Sequence, residues 1–125
     1  MQQGYIRFSV VNNEGLVSLD RPQALNALNT QMVEALHAQM IAWRDDQNIS
    51  HVVIASTSPR AFCAGGDIRQ AYGHVTDGDA GAVAAFFAAE YRADAAVYEF
   101  PKPVIALSGG LMMGGGAGLA QCCSH

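Results

Sequence analysis

Two glycine-rich loops are the stretches of this sequence best suited to chemistry. Each follows an apolar strand and leads into a predicted helix start, in VVIASTSPRAFCAGGDI and in VIALSGGLMMGGGAGLA. The second loop places six of the chain's thirteen glycines between Gly109 and Gly118. Because an ordered glycine costs about 0.5–1 kcal/mol relative to alanine, this concentration indicates that something must approach the backbone closely.

The start of a helix offers amides that have no acceptor within the helix, and its dipole favours negative charge there. One N–H from each loop could converge on a single oxygen and form an oxyanion hole for an acyl group that becomes enolate-like or tetrahedral. A tight turn packed against backbone remains the structural alternative for either loop alone. Phosphate-binding motifs fit worse, since Walker A needs Lys-Ser or Lys-Thr where Ala117 and Gly118 stand, and G-x-G-x-x-G fails at Leu119.

A long alanine-rich helix, predicted from Ala82 to Glu99, carries two carboxylates within its apolar arc. At about 100° per residue, Glu90 and Asp94 fall roughly 40° and 80° from Phe86. Carboxylates on a buried face are uncommon without a partner. Two interpretations stay open: pairing with an arginine such as Arg92 or Arg69, or a carboxylate that faces a pocket.

The elements around these features predict an α/β fold with parallel strand pairing after an initial hairpin. Met32, Leu36, Met40 and Trp43 recur at helical spacing and form one apolar face of a helix. The predicted elements are a hairpin of YIRFSVV and GLVSLD around NNEG, a loop RPQALNALN, a helix from about Thr30 (its N-cap) to Arg44, buried strands HVVIAST and VIALSG, a helix that starts near Asp67, and a small-residue helix from Gly114 to Cys123.

Length and composition narrow the classes of partner. A chain of 125 residues, half of them hydrophobic, is one domain or the inner part of a larger one. The net charge is −4 and the seven basic residues are scattered, which argues against nucleic acid. The sequence has no apolar run long enough for a membrane span and no secretory signal pattern. Three cysteines without framework spacing predict reduced thiols and a cytoplasmic location.

Cysteine and histidine chemistry is less well supported than the oxyanion hole. Cys63 lies in the first glycine loop and could be a thiolate nucleophile with a histidine base, but no motif fixes such a pair. Packing beneath the loop is the simpler role for this small residue. The four histidines show no metal-ligand spacing, so we expect no metal site.

Five segments, in this order and spacing, resemble the crotonase (enoyl-CoA hydratase/isomerase) superfamily: SLDRPQALNALN, AFCAGGDIR, FFAAEY, KPVIAL and MGGGAGL. The last three are most similar to the 3-hydroxyisobutyryl-CoA hydrolase branch. The resemblance covers the chain from about Arg7 to Ser124. It implies a spiral of β-β-α units, the ClpP/crotonase fold, with residues 1–125 forming one partial domain that corresponds to the N-terminal half of such an enzyme.

The resemblance also assigns roles to individual residues. It implies that the amides of Gly66 and Gly115 donate to the thioester oxygen and that Glu90 lies at the acyl pocket. Residues 61–64 (Ala61, Phe62, Cys63 and Ala64) would receive the adenine and pantetheine of coenzyme A, and Asp67 would cap the helix start beside them. The implied partner is an acyl-CoA substrate, with no cofactor beyond the coenzyme A of that substrate, and the implied assembly is a homo-oligomer, a trimer or a hexamer.

Two departures from the family pattern bear on the activity. Hydratases carry a catalytic glutamate three residues after the oxyanion glycine, and this chain has Gly118 there, which disfavours a two-glutamate hydratase. The hydrolase branch supplies its acid/base carboxylates from a segment after the GGG helix, beyond His125. The hypotheses are therefore an acyl-CoA thioester hydrolase of the 3-hydroxyisobutyryl-CoA type (valine catabolism), an enoyl-CoA hydratase or isomerase, and a catalytically incomplete CoA-binding fragment.

Overall fold

A four-stranded mixed sheet and two long helices dominate the part of the chain that the structure describes. The structure is a computed structural model, and it describes residues 5–24, 26–57, 61–63, 78, 80–107, 111–112 and 123–125. The elements are β1 (Ile6–Val11), β2 (Glu14–Leu19), a 3-10 turn (Pro22–Ala24), α1 (Thr30–Arg44), β3 (His51–Ser56), β4 (Ala61–Cys63), α2 (Ala80–Tyr98), β5 (Val104–Leu107) and β6 (Leu111–Met112).

The predicted hairpin is confirmed as the antiparallel pair β1–β2, with Val11 opposite Glu14. The two connecting residues, Asn12 and Asn13, have φ angles of 49° and 69°. Positive φ at both positions is the signature of a type I′ turn, whose twist matches that of the strands, and asparagine tolerates this conformation.

Helix α1 has the predicted bounds and apolar face, with Met32, Leu36, Met40 and Trp43 all buried. Its N-cap, however, is Asn29 rather than Thr30. The Oδ1 atom of Asn29 accepts a hydrogen bond from the Met32 amide at 2.9 Å. Asparagine is a good N-cap, so the first helical residue is Thr30, one position earlier than a cap at Thr30 would place it.

The parallel pairing after the hairpin is also confirmed, in the strand order β1-β2-β3-β5. The buried strand predicted from HVVIAST is β3, whose Val52, Val53 and Ile54 are all buried. Strand β5 is less enclosed than expected, because Leu107 is 58% exposed. Its outer edge is bonded by His125, which exchanges backbone hydrogen bonds with Val104 and Ala106.

Helix α2 begins two residues before the predicted start and ends one residue before the predicted end. It packs against α1, and both helices contribute to the same apolar core as β2 and β3. The helix predicted near Asp67 and residues 114–122 of the last predicted helix lie outside the described residues. Cys123, the final residue of that predicted helix, is described and is not helical.

Gly15 on β2 lies directly beneath the indole of Trp43. A Cβ atom at this position would lie 2.8–3.1 Å from three Trp43 ring carbons. The indole is also held by an edge-to-face contact with Phe8, at 6.1 Å between ring centroids. The ring therefore cannot retreat without losing an aromatic contact, and glycine is needed here for space.

We expect Gly15→Ala to lower the free energy of unfolding by about 1–3 kcal/mol, measured by urea denaturation, because it overpacks the core. Where space permits, replacing glycine by alanine normally stabilises the folded protein by about 0.4–1 kcal/mol, because it reduces the conformational entropy of the unfolded chain. In a Trp43→Leu background we therefore expect Gly15→Ala to be neutral or stabilising. An equal loss in both backgrounds would contradict the steric explanation.

Candidate active site

Strands β3 and β5 are parallel neighbours and end side by side. Ala55 is opposite Leu107 in their register, and β3 extends one residue further, to Ser56. The carboxyl ends of neighbouring parallel strands meet at one edge of a sheet, where ligands of α/β folds commonly bind. The two glycine-rich loops therefore leave the sheet from adjacent positions, as the oxyanion-hole prediction requires.

A second, two-stranded sheet brings the two loops together again. Strands β4 and β6 pair in parallel, with Ala61 opposite Leu111 and Cys63 opposite Met112 across an irregular register. Gly66 follows Cys63 by three residues, and Gly115 follows Met112 by three residues. The two strands run in the same direction within one sheet, and each predicted donor follows its strand by the same number of residues.

The donors themselves, Gly66 and Gly115, lie outside the described residues, as do Ala64 and Asp67, so their roles stay predictions. Cys63 is fully buried, and its Sγ donates to the backbone oxygen of Asn26 at 3.2 Å. This environment is typical of a packing residue rather than an exposed nucleophile. The backbone of Ala61 is held by its pairing with Leu111.

Asn26 is the residue of this region whose importance the sequence did not reveal. It is fully buried, with a φ angle of 58°. Its Oδ1 accepts from the Arg21 amide at 2.7 Å, and its Nδ2 donates to Ser56 Oγ at 2.7 Å and to the Phe62 carbonyl at 3.0 Å. One amide side chain thus joins the loop before α1 to the end of β3 and to β4. Its only sequence signal was an asparagine in a turn-prone segment, which does not indicate contacts 30 residues away.

Glu90 and Asp94 lie on the buried side of α2, as the helical spacing predicted. Glu90 is only 9% exposed and Asp94 is half-buried. Within the described part of the chain, no ion pair involves either carboxylate, and the suggested partner Arg92 is exposed. The other suggested partner, Arg69, lies outside the described residues. Pairing with Arg92 is therefore wrong, while pairing with Arg69 and a carboxylate that faces a pocket both stay predictions.

The surroundings make both carboxyl groups harder to ionise. Burial raises the pKa of Glu90 above its ordinary value. Burial, together with the nearby negative charge of Glu90, raises the pKa of Asp94 from 3.8 to about 6. Buried acids with raised pKa values are typical of sites where a carboxyl group must hold or exchange a proton.

A raised pKa also makes a prediction about stability. The folded state binds the Asp94 proton more tightly than the unfolded state, so the charged form of Asp94 destabilises the fold increasingly as the pH rises from about 4 to about 6. Asp94→Asn should therefore raise the free energy of unfolding at pH 7, by about 1 kcal/mol after allowance for solvent screening. The gain should vanish below about pH 4, where wild-type Asp94 is protonated as well. Urea denaturation at both pH values measures this, and a gain that is independent of pH would contradict it.

A separate groove of about 180 Å³ lies between α1 and α2. Its α2 lining residues lie roughly half a helical turn away from Glu90. The groove therefore lies on a different face of α2 from Glu90. The groove is lined by His37, Met40, Ile41, Arg44, Arg92, Ala95, Ala96 and Glu99.

The described residues contain neither a candidate metal site nor a candidate membrane-spanning helix. No group of three or more histidine, cysteine, aspartate or glutamate residues comes together there in a way that could hold a metal ion. No helix among these residues has the length and apolarity to cross a bilayer.

Comparison with solved structures identifies this arrangement as the crotonase fold. The structure of an enoyl-CoA hydratase from Rhodobacter sphaeroides superposes with a TM-score of 0.92 and is 40% identical, over 97% of this chain and 36% of that one. The described strands and helices correspond to an N-terminal portion of the fold.

The chain belongs to the enoyl-CoA hydratase/isomerase family, whose sequence profile matches residues 14–125. A curated relative named 3-hydroxyisobutyryl-CoA hydrolase, mitochondrial, from Xenopus tropicalis is 44% identical over 85% of this chain. Another, named small ribosomal subunit protein mS47, from Schizosaccharomyces pombe is 37% identical over 88%. The chain spans only 27% and 25% of the lengths of these two relatives.

The predicted cytoplasmic location is wrong, because the matching hydrolases are named as mitochondrial proteins. The prediction rested on reduced cysteines and on the missing secretory pattern. Those two features argue against an oxidising secretory compartment. They do not distinguish the cytoplasm from the reducing interior of an organelle.

Proposed function

We propose that this chain forms the thioester-binding part of an acyl-CoA thioester hydrolase of the 3-hydroxyisobutyryl-CoA type, which acts in valine catabolism. The observation that carries the proposal is the pairing of β4 with β6, which brings together the backbone leading to Gly66 and to Gly115. The identity to proteins named as such hydrolases supports the choice of substrate. The substrate supplies coenzyme A, no other cofactor is needed, and the working assembly is a homo-oligomer, a trimer or a hexamer.

In this proposal the amides of Gly66 and Gly115 bind the carbonyl oxygen of the thioester. Attack of water on the carbonyl carbon moves negative charge onto that oxygen, and both amides stabilise it in the transition state. Each donor is worth about 2.7–4 kcal/mol of barrier. The tetrahedral intermediate then collapses, the carbon–sulfur bond breaks, and the coenzyme A thiol and the free hydroxy acid leave.

Glu90 has a separate role, at the acyl group. The buried position of this carboxylate, without an ion-pair partner among the described residues, suits a hydrogen bond to the substrate hydroxyl. The groups that activate water are assigned, by the family resemblance, to the C-terminal part of such enzymes. Residues 1–125 would thus bind and polarise the thioester, and the remainder would complete the proton transfers.

Enoyl-CoA hydration is the second candidate, because the Rhodobacter sphaeroides structure named as a hydratase is 40% identical to this chain. Gly118 counts against it, since a glycine cannot move a proton where hydratases carry a glutamate. A relative named as a ribosomal protein is almost as similar. Identity over this part of the chain therefore does not fix the activity, and a direct assay is needed.

The test compares turnover of 3-hydroxyisobutyryl-CoA and crotonyl-CoA by a full-length protein that carries residues 1–125. We expect kcat/KM for hydrolysis to exceed kcat/KM for hydration. The reverse order would overturn the hydrolase proposal in favour of a hydratase. Turnover of neither substrate by the full-length protein, together with acyl-CoA binding by calorimetry, would favour the third hypothesis, a catalytically incomplete CoA-binding chain.

A further inference from the structure

Glu90 and Asp94 are placed to act as a pair. They are four residues apart on α2, a spacing that brings side chains to the same face with Cβ atoms about 5–6 Å apart. Both fall in the arc that contains the buried residues Phe86 and Val97. Glu90 is the more enclosed, at 9% exposure, and Asp94 is half-buried.

No positive charge among the described residues compensates this pair. On α2 itself, Arg92 and Glu99 point to the opposite flank, into the groove between the helices. Helix α1 packs against α2 from that flank, and its His37 and Arg44 line the same groove. The Tyr91 side chain between the two carboxylates in sequence is 71% exposed. Among the described residues, the charge that acts on Asp94 is therefore that of Glu90.

Two carboxyl groups in such a position do not both ionise readily, because like charges close together in a partly desolvated site repel. We infer that Glu90 and Asp94 hold one proton between them when an acyl group covers them, and so offer its hydroxyl one hydrogen-bond donor and one acceptor. Asp94 retains the shared proton, because the negative charge of Glu90 opposes its ionisation, and Glu90 is the acceptor of the pair. This inference rests on the proposed function, since it concerns the acyl pocket of that enzyme.

A hydroxyl group is the ligand that this pair would select. It donates one hydrogen bond and accepts others, so a protonated and an ionised carboxyl together satisfy it. An acyl group without a hydroxyl leaves both carboxyl groups unsatisfied in a buried position, which is costly. The raised pKa values of both groups, with that of Asp94 at about 6, agree with a proton that is easily retained.

The pair itself is tested by NMR titration of side-chain carboxyl carbons in the 125-residue chain. We expect the Glu90 and Asp94 signals to titrate in two coupled steps. Glu90→Gln should lower the midpoint of Asp94 from about 6. Asp94→Asn should leave the Glu90 midpoint nearly unchanged, because Glu90 ionises while Asp94 is still protonated. Glu99→Gln, on the opposite flank, is the matched control and should shift neither midpoint. An Asp94 midpoint that Glu90→Gln does not move would overturn the inference.

The role in binding is tested by calorimetry at pH 7 with 3-hydroxyisobutyryl-CoA and isobutyryl-CoA, in buffers of different ionisation enthalpy. The wild-type chain should take up a fraction of a proton when 3-hydroxyisobutyryl-CoA binds, and Asp94→Asn should abolish this uptake. Isobutyryl-CoA, which lacks the hydroxyl, should bind more weakly. Binding with no uptake, or uptake unchanged in the variant, would overturn the inference while leaving the proposed function standing. If neither ligand binds, the proposed function fails, and the titration alone decides whether the pair exists.

Discussion

Replacing Gly115 by proline is expected to lower kcat for thioester hydrolysis by about 10²–10³-fold in a full-length enzyme carrying this sequence. Proline has no N–H, so the substitution deletes one of the two proposed donors to the oxyanion. The loss of one such donor costs about 2.7–4 kcal/mol in other enzymes, because it acts where charge develops. Single-turnover measurement of coenzyme A release gives the rate of the chemical step directly.

Gly115→Ala is the control, because it keeps the amide and adds only a methyl group. If the amide is what matters, the alanine variant should retain far more activity than the proline variant. Affinity for free coenzyme A, measured on both, reports whether the binding surface is still formed. A proline variant that binds coenzyme A normally and turns over within a few-fold of the wild type would remove Gly115 from the proposed mechanism.

The parts of the fold that were predictable are those written in local patterns. Two β-rich runs around the turn segment NNEG marked β1 and β2, and the 3.6-residue period of Met32, Leu36 and Met40 marked α1. The strand-helix-strand order was enough to predict that β3 and β5 run parallel, because parallel neighbours need a long crossover connection and a helix supplies it. Even the burial of Glu90 followed from its angle on the helix. Each of these signals is confined to one short window of sequence.

The parts that were not predictable depend on contacts between distant segments. Strands β4 and β6 contain three and two residues, too few for any period to emerge, and their pairing joins residues fifty positions apart. The position of Asn26 against Ser56 and Phe62 is likewise a property of the assembled sheet edge. The predicted cap at Thr30 failed for a different reason: the adjacent Asn29 is also a capping residue, and asparagine is the better N-cap of the two.

The candidate site therefore has two kinds of support in this chain. The strands that precede the glycine loops are held by backbone pairing, of β3 with β5 and of β4 with β6. Asn26 adds a side-chain clamp, because it binds Ser56 at the end of β3 and Phe62 on β4, the strand that leads towards Gly66. We expect this clamp to orient the backbone that enters the first glycine loop, and preorganised donors are what make an oxyanion hole effective.

We expect Asn26→Ala to lower the free energy of unfolding by about 3 kcal/mol, measured by urea denaturation at pH 7. The substitution leaves the Arg21 amide and the Phe62 carbonyl without their buried partner, and each unsatisfied group costs about 1–3 kcal/mol. Alanine also carries a strain of about 1–2 kcal/mol at the φ angle of 58°. The same variant should weaken acyl-CoA binding, because β4 loses its attachment to the end of β3.

Asn26→Gly separates the two causes, because glycine removes the same hydrogen bonds but adopts positive φ without strain. It should therefore be destabilised less than Asn26→Ala, with the difference giving the backbone contribution. Asn48→Ala is the matched surface control, since the side chain of Asn48 is exposed, and it should change stability by no more than about 0.5 kcal/mol. If Asn26→Gly matched the wild type in stability but lost acyl-CoA affinity, the clamp would serve the loop rather than the fold. If Asn26→Gly kept both the stability and the acyl-CoA affinity of the wild type, the Asn26 hydrogen bonds would contribute to neither. Backbone pairing alone would then set the geometry of the oxyanion hole.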